Sequence, residues 1–320
     1  MRHLFAASIL ACLSVSVGAQ QPWPAKAVSL VTPFQPGPGP DLYLRPLFNR
    51  VGEQVGQVVI HDVRTGGGGA IVLQQLLRAA PDGYTMAVVT NSNLIQRHLT
   101  PAISADIVDF AHVTRLSLSG ATLVVAASSS VRRLEDLVAL AKSTPAKLNY
   151  GSGGTGTPSH LQGATLVALT GIEAVHVPFK NSADVIPSIL RGDLQFSFQV
   201  MSFGAPFVKS GKLRLIATTG RERAREFPDH PTLFELIKDD LAVQENWLGV
   251  SFPPKTPVPV VRRLHAEILK AIADPQVLRG MESSGTNVST SPSPEEFAAY
   301  VRSESDKWGK IVKLSGVKVE

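Results

Sequence analysis

The sequence predicts an α/β protein with parallel sheets that carry helices on both faces. Short apolar runs rich in Val, Ile and Leu alternate with longer runs whose apolar residues recur at helical spacing. Three turns that lead from a predicted strand into a predicted helix are unusually rich in glycine or proline. Open α/β sheets bind their ligands at such turns. With 320 residues, the chain is long enough for two domains of ordinary size.

The alternation of strands and helices can be followed from residue 28 to residue 177. The predicted strands are residues 28–32, 57–60, 84–89, 122–126, 148–150 and 174–177. The predicted helices are residues 42–55, 70–80, 134–143 and 158–169. Each predicted helix is long enough to cross back over a sheet, which favours parallel pairing of the strands.

Beyond Trp247 the pattern changes to a loop at residues 251–257 and two further helices. Residues 260–272 have helical spacing. Pro294, followed by two glutamates, begins a last helix that is predicted to run to Val312. Proline is favoured at the first helical position, and acidic residues stabilise the first turn.

The first residues have the pattern of a secretory signal peptide. Arg2 is followed by an apolar run over residues 4–17, and small residues precede Gln20. The run is too short for a comfortable membrane span. We therefore expect residues 1–19 to be removed by cleavage after Ala19 and the mature protein to be periplasmic. Cys12, the single cysteine, lies in this segment, so no disulfide is expected.

Composition and charge exclude several classes of function. The chain is 44% hydrophobic and 18% charged with a formal net charge of +5, and no basic block is interleaved with aromatics, so no nucleic-acid partner is expected. The eight histidines are scattered without H-x-H or H-E-x-x-H spacing. We therefore predict no metal site and no cofactor.

The three glycine-rich turns are candidates for a shared binding site. They are residues 36–41, 66–69 and 151–156, and each lies between the carboxyl end of a strand and the start of a helix. Backbone N–H groups and the helix dipole favour an anion there. Asp41 is expected to cap its helix. Glycine and proline also serve simply as turn formers, but three equivalent turns favour a common role.

The third turn contains the spacing G-x-G-x-x-G, which can indicate a dinucleotide site. Such a site needs an acidic residue at the end of the following strand to bind the ribose. Glu173 lies at about the required distance of 20 residues, but it precedes the strand at 174–177, and residues 178–180 contain no acid. The nucleotide interpretation is therefore disfavoured.

The same turn also allows a secreted hydrolase, with Ser152 as nucleophile and His160 as base. A nucleophile elbow needs glycine two residues to either side of the serine. Gly154 meets that requirement and Tyr150 does not. We interpret Ser152 and Thr155 as hydrogen-bonding groups for a ligand oxygen, and His160 as either a structural residue or a ligand contact. The hydrolase remains the alternative hypothesis.

Nine segments in a fixed order connect the chain to a known family. They read VTPFQPG with a following Asp41, RTGGGG, PDGYT, DFAHV, YGSGGTGT with a following HL, HVPFK, GKLR, FPDHPT and WLG. From Trp23 to the C-terminus, the chain thereby resembles the Bug-type periplasmic solute receptors of tripartite tricarboxylate transporters.

The resemblance implies a two-lobed periplasmic-binding-protein fold (type II, Venus-flytrap), each lobe a mainly parallel sheet flanked by helices. It implies one lobe at residues 22–120 plus 247–320, a second at 121–246, and a hinge near 117–121 and 245–249. It further implies a monomer without enzymatic activity that closes on a small carboxylate. A membrane permease pair or a sensor protein would be its partner.

The resemblance and the turns together give a set of expected ligand-binding residues. They are Phe34, Gln35, Gly37, Asp41, Gly68, Gly69, Ala70, Asn91, Ser152, Gly154, Thr155, Gly156, His160, Phe179 and Gln199. The chain departs from the family pattern at Pro38 and Asn181, and at Gln199, where many members carry aspartate. A glutamine can donate to an oxygen, so we expect a dicarboxylate or an aromatic acid without an amino group.

Overall fold

The computed structural model describes residues 23–37, 39–65, 69–100, 106–143, 148–180, 184–283 and 286–318. The strands of these residues are β1 Val28–Thr32, β2 Val59–Val63, β3 Thr85–Thr90, β4 Ala111–Ala126, β5 Leu148–Ser152, β6 Ala174–Pro178, β7 Phe196–Val200, β8 Leu213–Thr218 and β9 Glu245–Phe252. The helices are α1 Asp41–Val55, α2 Ala70–Arg78, α3 Asn91–Leu99, α4 Leu134–Ser143, α5 Pro158–Thr170, α6 Val185–Arg191, α7 Met201–Lys209, α8 Leu233–Ile237, α9 Val258–Ile272, α10 Pro275–Ser283 and α11 Pro294–Ser315. The expected signal peptide lies outside the described residues.

Strand β4 joins two sheets into one continuous array. The strand order is β2-β1-β3-β9-β4-β7-β5-β6, and β8 also pairs with β4. Strand β4 pairs with β9 from Ala111 to Gly120 and with β7 and β8 from Ala121 to Ala126. We call the side with β1, β2, β3 and β9 the first lobe, and the side with β5 to β8 the second lobe.

Each lobe has a mixed sheet. Strand β1 runs parallel to β2 and β3, and β5 runs parallel to β6 and β7, as the alternation of strands and helices predicts. The pairs that involve β4 or β9 are antiparallel. Each lobe has two apolar clusters of buried residues, as expected for a sheet that is covered by helices on both faces. Burial of a large apolar side chain stabilises the fold by roughly 1.5–3 kcal/mol.

Local capping explains where the helices that matter for the site begin. Helix α5 starts at Pro158 because the Thr157 hydroxyl accepts the His160 N–H, and it ends at Gly171 in the left-handed region. Helix α11 starts at Pro294, as predicted, with Ser293 as its cap, and it continues beyond the predicted Val312. None of the helices in the described parts of the chain is both long and apolar enough to cross a bilayer.

Candidate functional site

The turn after β1 is fastened by a carboxylate. Gly37, at φ +115°, donates its N–H to Asp41 Oδ2 at 3.1 Å, and Arg45 Nη2 lies 2.9 Å from Asp41 Oδ1. The N-cap of α1 is Pro40, which contributes no side-chain hydrogen bond. The expectation that Asp41 caps its helix is therefore wrong, because its carboxylate reaches back to the turn.

Asp41 remains ionised despite its burial. Burial raises the pKa of this carboxyl. Hydrogen bonds from Arg45 and from the Gly37 N–H together lower the pKa by more, so the net pKa lies below the usual value. A charge-assisted bond is stronger than a neutral one. Beside it, Phe34 is half-buried against the core of the first lobe, and Gln35 is exposed.

The turn before α2 requires glycine at its last position. Gly69 is buried at φ +89°, and a Cβ there would lie 2.6 Å from Asn93 Nδ2. Ala70 is the first residue of α2. Gly68, Pro38 and Asn181 lie outside the described residues, so their expected contributions stay predictions.

Asn91 contacts the segment where the chain crosses between the lobes. Its side chain is buried, and Nδ2 donates to Asn246 Oδ1 at 3.2 Å. The neighbouring Glu245 begins β9 and is half-buried. Burial raises the pKa of Glu245 above its usual value, although the nearby Lys307 opposes this effect. The end of β3 therefore meets the crossing strand through an amide pair.

Ser152, at the start of the turn after β5, is hydrogen-bonded inside the protein. It is fully buried, its Oγ lies 2.6 Å from His176 Nε2, and it accepts the Gly154 N–H at 3.1 Å. In this structure it offers no surface to a ligand, contrary to the direct contact expected from the sequence. The hydrolase pairing of Ser152 with His160 is also not formed, because His176 occupies that place.

His160 fastens the other end of the same turn. Its Nδ1 accepts the Gly156 N–H at 3.1 Å. Its ring stacks on His176 with centroids 3.5 Å apart and an angle of 8°. The N–H groups of Gly154 and Gly156 are thus satisfied within the turn and do not form the exposed anion wall expected from the sequence. Local side-chain acceptors compete successfully for them.

The stacked histidines are held in the neutral form. Burial lowers the pKa of His176 to about 4, and burial together with the neighbouring His176 lowers the pKa of His160 to about 4. Tyr150 packs beside both rings. The turn of the second lobe is therefore fastened by uncharged groups.

Three expected residues border this turn in different ways. Thr155 is exposed at its tip, and Phe179 is half-buried with its ring next to Gly151. Gln199 is buried, and its Nε2 donates to Ser197 Oγ at 2.8 Å. Of these three residues, Thr155 and part of Phe179 have free surface.

The two lobes touch beside these turns. Helix α5 packs against α3 and α11, and its fully buried Leu161 belongs to the apolar cluster of Leu94 and Trp308 in the first lobe. Helix α3 follows β3 directly, and α5 follows β5 after the turn at residues 153–157. Within the described ranges, no three His, Cys, Asp or Glu side chains are grouped so that they could hold a metal ion.

His176 is the participant that sequence reasoning missed. Parallel pairing places it opposite Tyr150, so β6 brings its ring beneath the turn that follows β5. It lies 24 residues from Ser152. The signal was present in the HVPFK segment, but only the strand register connects that segment to Ser152.

Comparisons with known proteins agree with this architecture. The sequence model described as tripartite tricarboxylate transporter family receptor matches residues 44–317. The chain is 30% identical, over 97% of its length and 93% of the relative's, to the UPF0065 protein in the tcbD-tcbE intergenic region of Pseudomonas sp. (strain P51).

Solved structures give the same result. The periplasmic binding protein BugD superposes with a TM-score of 0.77 at 25% identity, covering 93% of this chain and all of that one. Rpa4515 of R. palustris, solved with adipate, superposes with a TM-score of 0.78 at 26% identity, covering 92% and 99%. The predicted two-lobed periplasmic-binding-protein fold is thereby confirmed. The chain belongs to the tripartite tricarboxylate transporter receptor family.

Proposed function

We propose that this receptor binds a small organic carboxylate between its lobes in the periplasm and delivers it to a membrane permease pair or to a sensor protein. The observation that carries the proposal is the placement of the turns. The turn after β1 and the junction of β3 with α3 belong to the first lobe, the turn after β5 belongs to the second, and β4 and β9 connect the two lobes. A ligand held by turns of both lobes would bring them together.

The sheet pairing supports lobes at residues 22–120 plus 247–320 and at 121–246. Strand β4 exchanges its partner β9 for β7 and β8 between Gly120 and Ala121. A Cβ on Gly120 would lie 2.6 Å from the Gly220 nitrogen, so only glycine allows this close backbone approach. We therefore place the hinge at 117–121 and 245–249.

A dicarboxylate is the ligand class that we favour. A relative of similar fold carries adipate. Gln199 is neutral, and its amide donates to a hydroxyl, so it supplies no negative charge to hold an ammonium group. We therefore propose a ligand without an amino group.

A thermal-shift screen of carboxylates followed by calorimetry tests the proposal. A ligand that binds only the folded chain adds about 2.7 kcal/mol of stability at a hundredfold excess over its dissociation constant. We expect a raised melting temperature with dicarboxylates or aromatic acids and none with amino acids. Tight binding of an amino acid would overturn the ligand class, and no shift with any acid would overturn the function.

A further inference from the structure

The turn from Ser152 to Thr157, here called the second-lobe turn, is fastened at both ends by one pair of rings. At its start, Ser152 Oγ lies 2.6 Å from His176 Nε2. Near its end, Gly156 donates to His160 Nδ1 at 3.1 Å. Because the two rings are stacked 3.5 Å apart, a displacement of either ring is transmitted to the other.

We propose that His176 is a positioning residue for ligand binding, which acts through Ser152 and His160 without touching the ligand. This inference rests on the proposed function, in which the second-lobe turn contacts the ligand through groups such as Thr155. The turn carries the exposed Thr155 at its tip. A displacement of this turn would therefore weaken the binding of the ligand.

The arrangement requires an unprotonated Nδ1 on His160. A protonated imidazole donates from both nitrogens and cannot accept the Gly156 N–H. Tyr150 from β5 and, behind it, Phe196 from β7 pack on the pair. Among the described residues, the one charge that acts on His160 is that of His176. Acid therefore places two like charges in contact and releases Gly156.

Three variants separate positioning from simple support of the fold. His176→Phe keeps a flat ring but loses the bond to Ser152. His176→Gln keeps a donor and acceptor that can reach Ser152 and does not titrate. His265→Gln is the matched control, since His265 is another hydrogen-bonded histidine, buried in the first lobe with Nε2 3.0 Å from Ser291 O.

Calorimetry with adipate at pH 7.5 gives the first readout. We expect His176→Phe to bind about tenfold more weakly, in line with the loss of one hydrogen bond, and His176→Gln to lose less than about threefold. His265→Gln should bind like the unmodified protein. Unchanged affinity in a folded His176→Phe protein, or equal losses in the His176→Phe and His265→Gln proteins, overturns the proposal.

Amide hydrogen exchange without ligand gives the second readout. Acidification from pH 7 to 4.5 should lower the protection factor of Gly156 at least about tenfold and leave that of Gly37, which is bonded to Asp41, unchanged. The His176→Phe substitution should lower the protection factor of Gly156 already at pH 7. An unchanged Gly156 overturns the proposal even if the Phe variant does not fold. If Gly156 responds while no carboxylate binds, the proposed function fails and the positioning role stands.

Discussion

The two best-defined turns of this receptor are fastened by opposite kinds of chemistry. In the first lobe, Gly37 is bonded to an ionised Asp41 that is paired with Arg45. In the second lobe, Gly156 is bonded to a neutral His160 that is stacked on His176. The Asp41 pKa is lowered below that of an ordinary carboxyl, whereas the His pKa values fall to about 4 from 6.5. The turns should therefore fail in different pH windows.

In both lobes the glycine-rich turn is held by its own neighbours before any ligand arrives. Both turns use their own neighbouring side chains to satisfy backbone N–H groups. A turn that is ordered in advance loses less conformational entropy when a ligand binds. The fixed turns present only a few groups, such as Gln35 and Thr155, at the surface.

The largest expected effect comes from filling the space behind the histidine pair. A Cβ on Gly163 would lie 2.2 Å from Tyr150 Cε2, and Tyr150 stacks on Phe196 and packs beside His176. We expect Gly163→Ala to lower the free energy of unfolding by about 2–3 kcal/mol, measured in urea. The control Gly280→Ala meets open space in α10 and should gain up to about 1 kcal/mol. Similar values for both would show that Tyr150 is free to move.

The second effect is a loss of stability in acid. Both rings have folded-state pKa values of about 4, below the unfolded value near 6.5. Their contribution is complete above pH 6.5 and is lost as the pH falls towards 4, because the unfolded chain then binds more protons.

Urea unfolding at pH 7 and pH 4 measures this contribution. The decrease in the free energy of unfolding should be roughly 2 kcal/mol smaller in His176→Gln, which lacks one of the two rings. His112 also has a lowered pKa, of about 3, through burial, and it contributes equally to both proteins. Equal decreases in both proteins would contradict the role assigned to the pair.

The third effect isolates the turn of the first lobe. Asp41→Asn removes the charge that accepts the Gly37 N–H, and it should cost about 1.5 kcal/mol at pH 7. Because the Asp41 pKa lies below 3.8, this difference should persist at pH 5 and disappear as the pH falls through the folded-state value. Glu53→Gln, in an exposed pair with Arg50, is the control and should change stability by less than about 0.5 kcal/mol. A difference that already vanishes at pH 5 would be inconsistent with this account.

The smallest effect on stability is expected at the tip of the second-lobe turn. Thr155 is exposed, so Thr155→Val should change the free energy of unfolding by less than about 0.5 kcal/mol. Adipate affinity should fall about fivefold to tenfold if the hydroxyl contacts the ligand. Ser303→Ala removes another exposed hydroxyl, on α11, and should leave affinity unchanged. Equal damage to stability and affinity would remove Thr155 from the site.

The sequence predicted elements that depend on local patterns. β1 and α4 occur at the predicted residues, and α5 starts at the predicted Pro158. The sequence does not predict β9, and it predicts a loop over the last two residues of this strand. Its residues 245–252 do not alternate, and they pair with β3 and β4, which lie far away in the sequence. Long-range pairing of this kind leaves little local signal.

In the candidate site, too, the sequence predicts the local features and not the long-range contacts. The positions of the turns could be predicted because glycine at a positive φ and a capping threonine are local requirements, as at Gly37 and Thr157. The partners within the turns could not. Ser152 was expected to face a ligand, but strand register brings His176 to its hydroxyl.

The proposed function requires that turns of both lobes hold one carboxylate. Hydrogen exchange with mass spectrometry, with and without saturating adipate or the best acid of the screen, tests it most directly. We expect slower exchange in the peptides over residues 33–41 and 152–160 together, with little change in α10. Binding that protects neither turn, or the turn of one lobe alone, would contradict it.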